Sequence, residues 1–186
     1  VITGCKNITI KNVKIYNEVT LSGEGVIEDV TENSFTITVT DGNKFFTNGE
    51  TLFSGDPDGL FDQLICINEW DKETGLLVPY QTDISLADFT FEQLSENTFV
   101  ALAKPDRMKK YVITKGNRFC IQHRHRNSCG IFINESVNTK LLNVTIHNTM
   151  GMGVIAQNCE NVEIDSMKVT PKNNSCHTLN ADATHF

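Results

Sequence analysis

The chain has 186 residues, of which 39% are hydrophobic and 21% charged, an ordinary balance for a globular protein with one sizeable core or two small ones. The formal net charge of −7 argues against a nucleic-acid-binding surface, and no apolar run approaches the ~18 residues of a membrane-spanning helix. The six cysteines form no CxxC pair, so we expect buried thiols rather than obligatory disulfides. The start at Val1 and the stop within a patterned stretch predict a piece of a longer protein.

Three stretches of the chain share the pattern N-x-x-[IL]-x-[NS]-[VM]-x-[IV]. They begin at Asn7, Asn138 and Asn161. In each, a polar residue between the apolar pairs marks a predicted bend, and these residues are Asn12, Asn143 and Ser166. Repeats of roughly 22–24 residues that each bury one apolar face stack on their neighbours. The pattern therefore predicts a right-handed parallel β-helix, with bend side chains that bond between coils.

Residues 18–114 lack this repeat. The run GVIEDVTENSFTITVT indicates two alternating strands around a polar turn, and turn signals follow at 41–43, 48–50 and 56–59. Further strand-like runs are QLICINEWD, GLLVPY and NTFVALA. We predict a small β-barrel or sandwich domain at 18–114, inserted between a first β-helix coil at 1–17 and the remaining coils at 115–186.

A polar outer face is predicted where the coils are aligned by the inward-pointing residues Ile133, Ile155 and Leu179. The outward columns then hold Asn134, Ser136, Asn158, Asn180 and Asp182. Short polar side chains with one carboxylate suit a sugar, and a solvated face has the same composition. Glycoside hydrolysis normally uses two carboxyl groups, ~5–5.5 Å apart for retention or ~6.5–9.5 Å for inversion. Asp182 is the candidate catalytic group, and its partner is expected on a coil beyond Phe186.

Other polar side chains near this face have more than one interpretation. His185 can orient Asp182 or bind a substrate hydroxyl, and a lone histidine is also commonly structural. In the QHRHRN run, alternation places Gln122, Arg124 and Arg126 on one face, and we take Arg124 as an arginine at the groove edge that would bind a polar substrate. His123 and His125 share the other face, but without a third ligand we expect no metal and no cofactor.

The chain resembles glycoside hydrolase family 110 over essentially its whole length. The resemblance is carried by KNITIKNVKIYN, the β insertion after it, YVITKGNRF, NTMGMGVIAQNCENVEIDSMKV and NADATHF. It implies a right-handed parallel β-helix with an inserted β-barrel. It also implies an exo-acting, inverting, metal-independent α-1,3-galactosidase, secreted or periplasmic, whose substrate is a glycan with terminal α-galactose. Asp182 would be the catalytic acid or base, with Asn180 and His185 near the substrate.

Two other functions are compatible with the same scaffold. One is a pectinase-like hydrolase or polysaccharide lyase, which would need more bases or clustered acids on the groove. The other is a non-catalytic carbohydrate-binding or structural β-helix. An open β-helix end would expose unpaired strand edges, so we also expect self-association through that end.

Overall fold

The computed structural model describes residues 1–17, 23–79, 83–125, 128–172, 175–176, 179 and 181–186. Its regular structure is all-β apart from short 3₁₀ turns. Contacts divide the chain into two compact units. The repeat unit comprises Val1–Thr20 and His125–Phe186, and the inserted unit is Leu21–Arg124. None of the helical segments in the described residues has the length and apolar character needed to cross a membrane.

The strands are numbered in chain order. The first part of the repeat unit holds β1 (Ile2–Thr3), β2 (Lys6–Lys11) and β3 (Lys14–Ile15). The inserted unit holds β4 (Glu24–Val30), β5 (Ser34–Val39), β6 (Phe45–Thr47), β7 (Leu52–Gly55), β8 (Phe61–Trp70), β9 (Ile84–Ser85), β10 (Phe89–Gln93), β11 (Thr98–Ala103) and β12 (Arg118–His123), with 3₁₀ turns at Leu86–Asp88 and Met108–Lys110. The second part of the repeat unit holds β13 (Ile131–Asn134), β14 (Val137–Leu142), β15 (Thr145–Ile146), β16 (Val154–Gln157), β17 (Glu160–Asp165), β18 (Lys168–Val169) and β19 (Thr184–His185).

In the described part of the repeat unit, the strands form three parallel sheets. Their orders are β1-β13-β16-β19, β17-β14-β2 and β18-β15-β3. Every pairing within them is parallel, and each copy of the sequence repeat gives one strand to the second sheet and one to the third. The predicted alignment of the three repeats is therefore confirmed, as is the all-β class with parallel strands.

Ladders of asparagine side chains, hydrogen-bonded from one repeat to the next, stabilise the bends between these sheets. Asn12 and Asn143 both have a left-handed backbone, and Nδ2 of Asn143 donates to Oδ1 of Asn12 at 2.8 Å, as predicted. Ser166 also has a positive φ, but its hydroxyl donates to the Asp165 carboxylate instead. A second ladder of the same kind joins Asn161, Asn138 and Asn7 through their side-chain amides. Asparagine suits both needs because it tolerates positive φ and has an amide that can bond along the stack.

The apolar core of the repeat unit lies between its sheets. Its buried members are Ile131, Ile133, Leu141, Val144, Ile146, Val154 and Ala156. The strands that supply them alternate buried and more exposed residues, because successive side chains point to opposite faces. No disulfide forms among the six cysteines, all of which the structure describes; three are buried and three half-buried.

The inserted unit is built on one antiparallel sheet, which in the described residues has nine strands. Their order is β10-β11-β5-β4-β12-β8-β7-β6, with β9 paired to β8. The sheet curls until its ends meet, since the Phe91 N–H on β10 donates to the Gly49 carbonyl beyond β6 at 2.7 Å. Its core is rich in phenylalanine, and the rings of Phe35 and Phe89 meet edge to face at 5.1 Å. Of the two predicted alternatives, the sheet is barrel-like and nearly closed.

The unit boundary after the insertion differs from the predicted one at residue 114. β12 pairs antiparallel with β4 on one side and β8 on the other, so residues 115–124 belong to the inserted unit. Phe119 and Ile121 are buried in its core. The sequence did not show this boundary because a strand with alternating apolar residues is compatible with both an antiparallel barrel and a parallel coil.

A polar contact on the inserted unit gives a pH prediction. The Tyr111 hydroxyl donates to Oδ2 of Asp88 at 2.7 Å, and Lys110 and Arg107 lie nearby. Chiefly through the Tyr111 hydrogen bond, the pKa of Asp88 is held below its usual value. Stability gained from this carboxylate is thus present above its ordinary pKa of about 3.9 and is lost as the pH falls through the lower folded-state pKa.

Tyr111→Phe is therefore expected to destabilise the protein more at pH 7 than at pH 2–3. The backbone N–H of Ser85 also loses its bond to the Tyr111 oxygen, which adds a cost that does not depend on pH. Urea unfolding across this range measures the difference. Lys109→Ala, which removes an exposed ion pair to Asp106, is the control and should have little effect. An identical loss at every pH would contradict the assignment to Asp88.

Candidate active site

Asp182 and His185 lie together on the surface of the repeat unit. His185 is in β19, and Asp182 comes just before it. Their side chains are 70% and 52% exposed, and Oδ2 of Asp182 is 3.9 Å from Nδ1 of His185. This separation is too long for a direct hydrogen bond but short enough for an electrostatic interaction when the imidazole is protonated. Both side chains are therefore open to a ligand.

The backbone at Gly153 is hydrogen-bonded to the segment that carries Asp182. Its N–H donates to the carbonyl of Asp182 at 3.0 Å, and the next N–H, of Val154, donates to Ala183 at 3.0 Å. A Cβ on Gly153 would lie 2.5 Å from the Ala183 carbonyl oxygen, closer than atoms can approach. The absence of a side chain at Gly153 thus permits the close strand pairing that positions Asp182.

The predicted outward column of Ser136, Asn158 and Asp182 is wrong. β16 pairs with β19 so that Ile155 lies opposite His185, which makes the last coil longer than the others. Asp182 precedes β19, whereas Asn158 follows β16, so the two residues lie at opposite ends of a strand about 13 Å long. Ser136 is fully buried, where its hydroxyl accepts from the Cys5 N–H and donates to the Asn134 carbonyl.

The predicted inward column needs the same correction. β13 pairs with β16 so that Ile133 lies opposite Ala156, and Ala156 points to the core while Ile155 does not. Asn158 occupies a bend with a positive φ, next to Glu135, which has the same conformation. Leu179 packs against the core as expected, without belonging to a described strand. Asn180, predicted to bind substrate, lies outside the described residues.

The sequence alignment missed the columns that actually flank the pair. On the outer face, Phe132, Ile155 and His185 follow one another across three neighbouring strands. Two positions further along the strands, on the same face, come the amide side chains of Asn134 and Gln157. A shift of one residue exchanges the two faces of a strand, so only the true register could show these columns.

Comparison with known proteins adds a functional context to this geometry. No family model matches the chain. α-1,3-Galactosidase B of Bacteroides thetaiotaomicron is 27% identical over 98% of this chain and 30% of that protein. α-1,3-Galactosidase A of Shewanella woodyi is 26% identical over 96% of this chain and 30% of that protein. α-1,3-Galactosidase B of Bacteroides fragilis is 45% identical over 64 residues, which are 33% of this chain and 11% of that protein.

This chain is thus similar to α-1,3-galactosidases A and B over nearly its whole length. The resemblance predicted from the sequence is thereby confirmed. The chain spans about 30% of the length of the first two relatives.

Arg124 belongs to the inserted unit. Its guanidinium donates to Oε1 of Gln63 at 3.0 Å, and its backbone N–H donates to the Gln63 carbonyl. The Arg124 side chain is exposed, and the residue directly follows β12, whose last residue is His123. Asp182 belongs to the other unit, so substrate binding by Arg124 stays a prediction.

His123 and His125, the two histidines considered for a metal, do not share one face of a regular strand. His123 is 1% exposed and lies inside the inserted unit, with Nδ1 3.2 Å from Oδ2 of Asp62. A bulge at Gln122–His123 shifts the register there, and His125 lies outside the strand. Within the described residues, no group of three or more His, Cys, Asp or Glu side chains is placed to hold a metal ion.

Proposed function

We propose that the full-length protein is an exo-acting, inverting α-1,3-galactosidase that removes terminal galactose from glycans outside the cytoplasm. The observation that carries the proposal is the similarity to α-1,3-galactosidases over nearly the whole chain. The exposed Asp182–His185 pair supports it, because a carboxyl group open to solvent can exchange a proton with a bound sugar.

Asp182 serves as the general acid or the general base in this proposal, and His185 orients it or the substrate. Inversion needs a second carboxyl group about 6.5–9.5 Å away, which leaves room for the attacking water molecule between the sugar and whichever of the two groups is the base. Neither Met152 nor Gly153, which face Asp182 from the neighbouring coil, has a carboxyl group. Glu135 lies at the bend at the far end of the sheet. The second group is therefore expected elsewhere in the full-length protein.

The repeat unit is proposed to be a right-handed parallel β-helix. Support comes from the three parallel sheets, in which equivalent strands of successive repeats pair, and from the asparagine ladders along the bends. Right-handed connections between parallel strands are the rule for L-amino acids. The sheets end at β1, β2 and β3 on one side and at β17, β18 and β19 on the other among the described strands.

Such edges favour pairing with another strand. We expect the 186-residue chain by itself to associate with further copies through these edges. Light scattering over a range of concentrations measures this, and a monodisperse monomer at high concentration would contradict it.

The activity is tested by incubating the full-length protein with Galα1-3Gal. Release of galactose is expected, and proton NMR should detect the β anomer first because inversion at an α-linkage yields β-galactose. Initial formation of the α anomer would contradict the inverting mechanism and leave the galactosidase activity standing. Absence of release would remove the proposed activity and favour a lyase, another hydrolase or a binding module.

A further inference from the structure

We propose that the inserted unit has a sugar-binding site of its own, in a cavity at a gap in its sheet. The gap lies on the edge of β8 opposite the one that pairs with β12. On this edge β7 pairs with β8 as far as Gln63, and β9 pairs with β8 from Cys66 onward. Among the described strands, none pairs with Leu64 and Ile65 on this edge. The sheet is therefore open at this point.

The cavity at this opening has a volume of about 350 Å³. Ligand-binding cavities in proteins typically have volumes of about 300–1,000 Å³, so this one is of the size that takes a single small molecule. Its apolar lining comes from Leu52, Leu64, Leu86 and Phe91, which are at most 5% exposed and therefore lie at its floor. A pyranose ring has a face of C–H groups that packs on such a floor.

Three uncharged polar side chains in the lining have hydrogen-bonding groups without a partner among the described residues. These groups are the hydroxyls of Thr51 and Ser85 and the amide nitrogen of Gln63, whose amide oxygen accepts from Arg124. Thr51, Ser85 and Gln63 are all half-buried. Polar groups that are shielded from solvent usually have hydrogen-bond partners. A sugar can supply them, because each of its hydroxyl groups both donates and accepts.

The charged groups of the lining favour a neutral ligand. Glu50 and Lys104 both line the cavity, and Oε2 of Glu50 is 3.8 Å from Nζ of Lys104. This separation is too long for a direct hydrogen bond, so the carboxylate can still accept from a ligand hydroxyl. One positive and one negative charge offset each other, which favours a neutral polyhydroxy compound over an anion or a cation. An apolar floor with hydroxyl, amide and paired charged groups around it therefore fits one neutral pyranose.

Titration of the full-length protein with D-galactose, followed by methyl NMR, tests this site. The methyl signals of Leu52, Leu64 and Leu86 report on the cavity, and they are expected to shift with a millimolar Kd because a monosaccharide makes few contacts. Thr51→Val keeps the size of the side chain and removes its hydroxyl. Binding should therefore weaken by roughly 2- to 10-fold, the effect of one lost hydrogen bond. Ser85→Phe should fill the cavity and abolish the shifts.

The matched control is Thr36→Val. Thr36 is a half-buried threonine on β5 of the same unit and does not line the cavity. This variant should bind galactose as tightly as the wild type does. Wild-type cavity signals that do not move at galactose concentrations above the millimolar range would overturn the proposal. Shifts that persist unchanged in both Thr51→Val and Ser85→Phe would also overturn it, because the sugar would then be bound elsewhere. The readout needs no hydrolysis, so it is independent of the proposed function.

Discussion

Replacing Asp182 by asparagine is expected to reduce galactose release from Galα1-3Gal by roughly 10³-fold in the full-length protein, since general acid–base groups typically contribute 10²–10⁴-fold. Asparagine keeps the size of the side chain but can neither give nor take the proton. Because Asp182 is exposed and the backbone there is held by Gly153, the substitution should leave the fold intact. Initial rates measure the loss, and circular dichroism checks the fold.

The matched control is Asp165→Asn. Asp165 is an exposed carboxylate in the same unit, at the end of β17 on a different sheet, where it accepts a hydrogen bond from Ser166. It should retain wild-type activity. If galactose release survived in Asp182→Asn, the relationship to the galactosidases would stand and Asp182 would no longer be the catalytic group.

Phe119→Ala is expected to destabilise the inserted unit by about 3–5 kcal/mol, the usual cost of deleting a fully buried aromatic ring. Phe119 is 0% exposed on β12, between β4 and β8. Its ring fills the space over Gly25, where a Cβ would lie 2.6 Å from the ring. Truncation therefore leaves a cavity that the surrounding sheet can close only in part.

Urea unfolding of the 186-residue chain, followed by fluorescence, measures this effect. The one tryptophan, Trp70, lies in β8 and therefore reports on the inserted unit. The control is Leu102→Ala on β11, where the side chain is 42% exposed and truncation should cost less than about 0.5 kcal/mol. Equal midpoints for Phe119→Ala and wild type would contradict the placement of β12 inside the barrel-like sheet.

Much of the fold was predictable because short-range patterns specify it. The repeat starting at Asn7, Asn138 and Asn161 requires stacked parallel strands, since one copy cannot bury its apolar face. The Asn12–Asn143 bond followed from a polar residue at a bend between apolar pairs. The alternating strands of the inserted unit likewise predicted an all-β domain.

The candidate site was less predictable because it depends on strand register. The segment before β19 has no repeat pattern, so the sequence could not show that Ile155 pairs with His185. An error of one residue turned Ile155 inward, and the left-handed bend at Glu135 broke the alternation that had placed buried Ser136 on the surface. The sequence also did not show which unit contains β12, because its alternation of buried and less buried residues is compatible with a strand of either unit.

Local residue patterns were enough to specify the strand-rich class, the repeat and its insertion, and the resemblance to α-1,3-galactosidases. They also singled out Asp182 and His185, which lie only three positions apart. Which side chains share a face with them became visible only from the pairing of the folded strands. Pairing between β13, β16 and β19 aligns Phe132 and Ile155 with His185 and separates Asn158 from Asp182. Register is set by contacts between distant parts of the chain, and no local pattern specifies it where the repeat is broken.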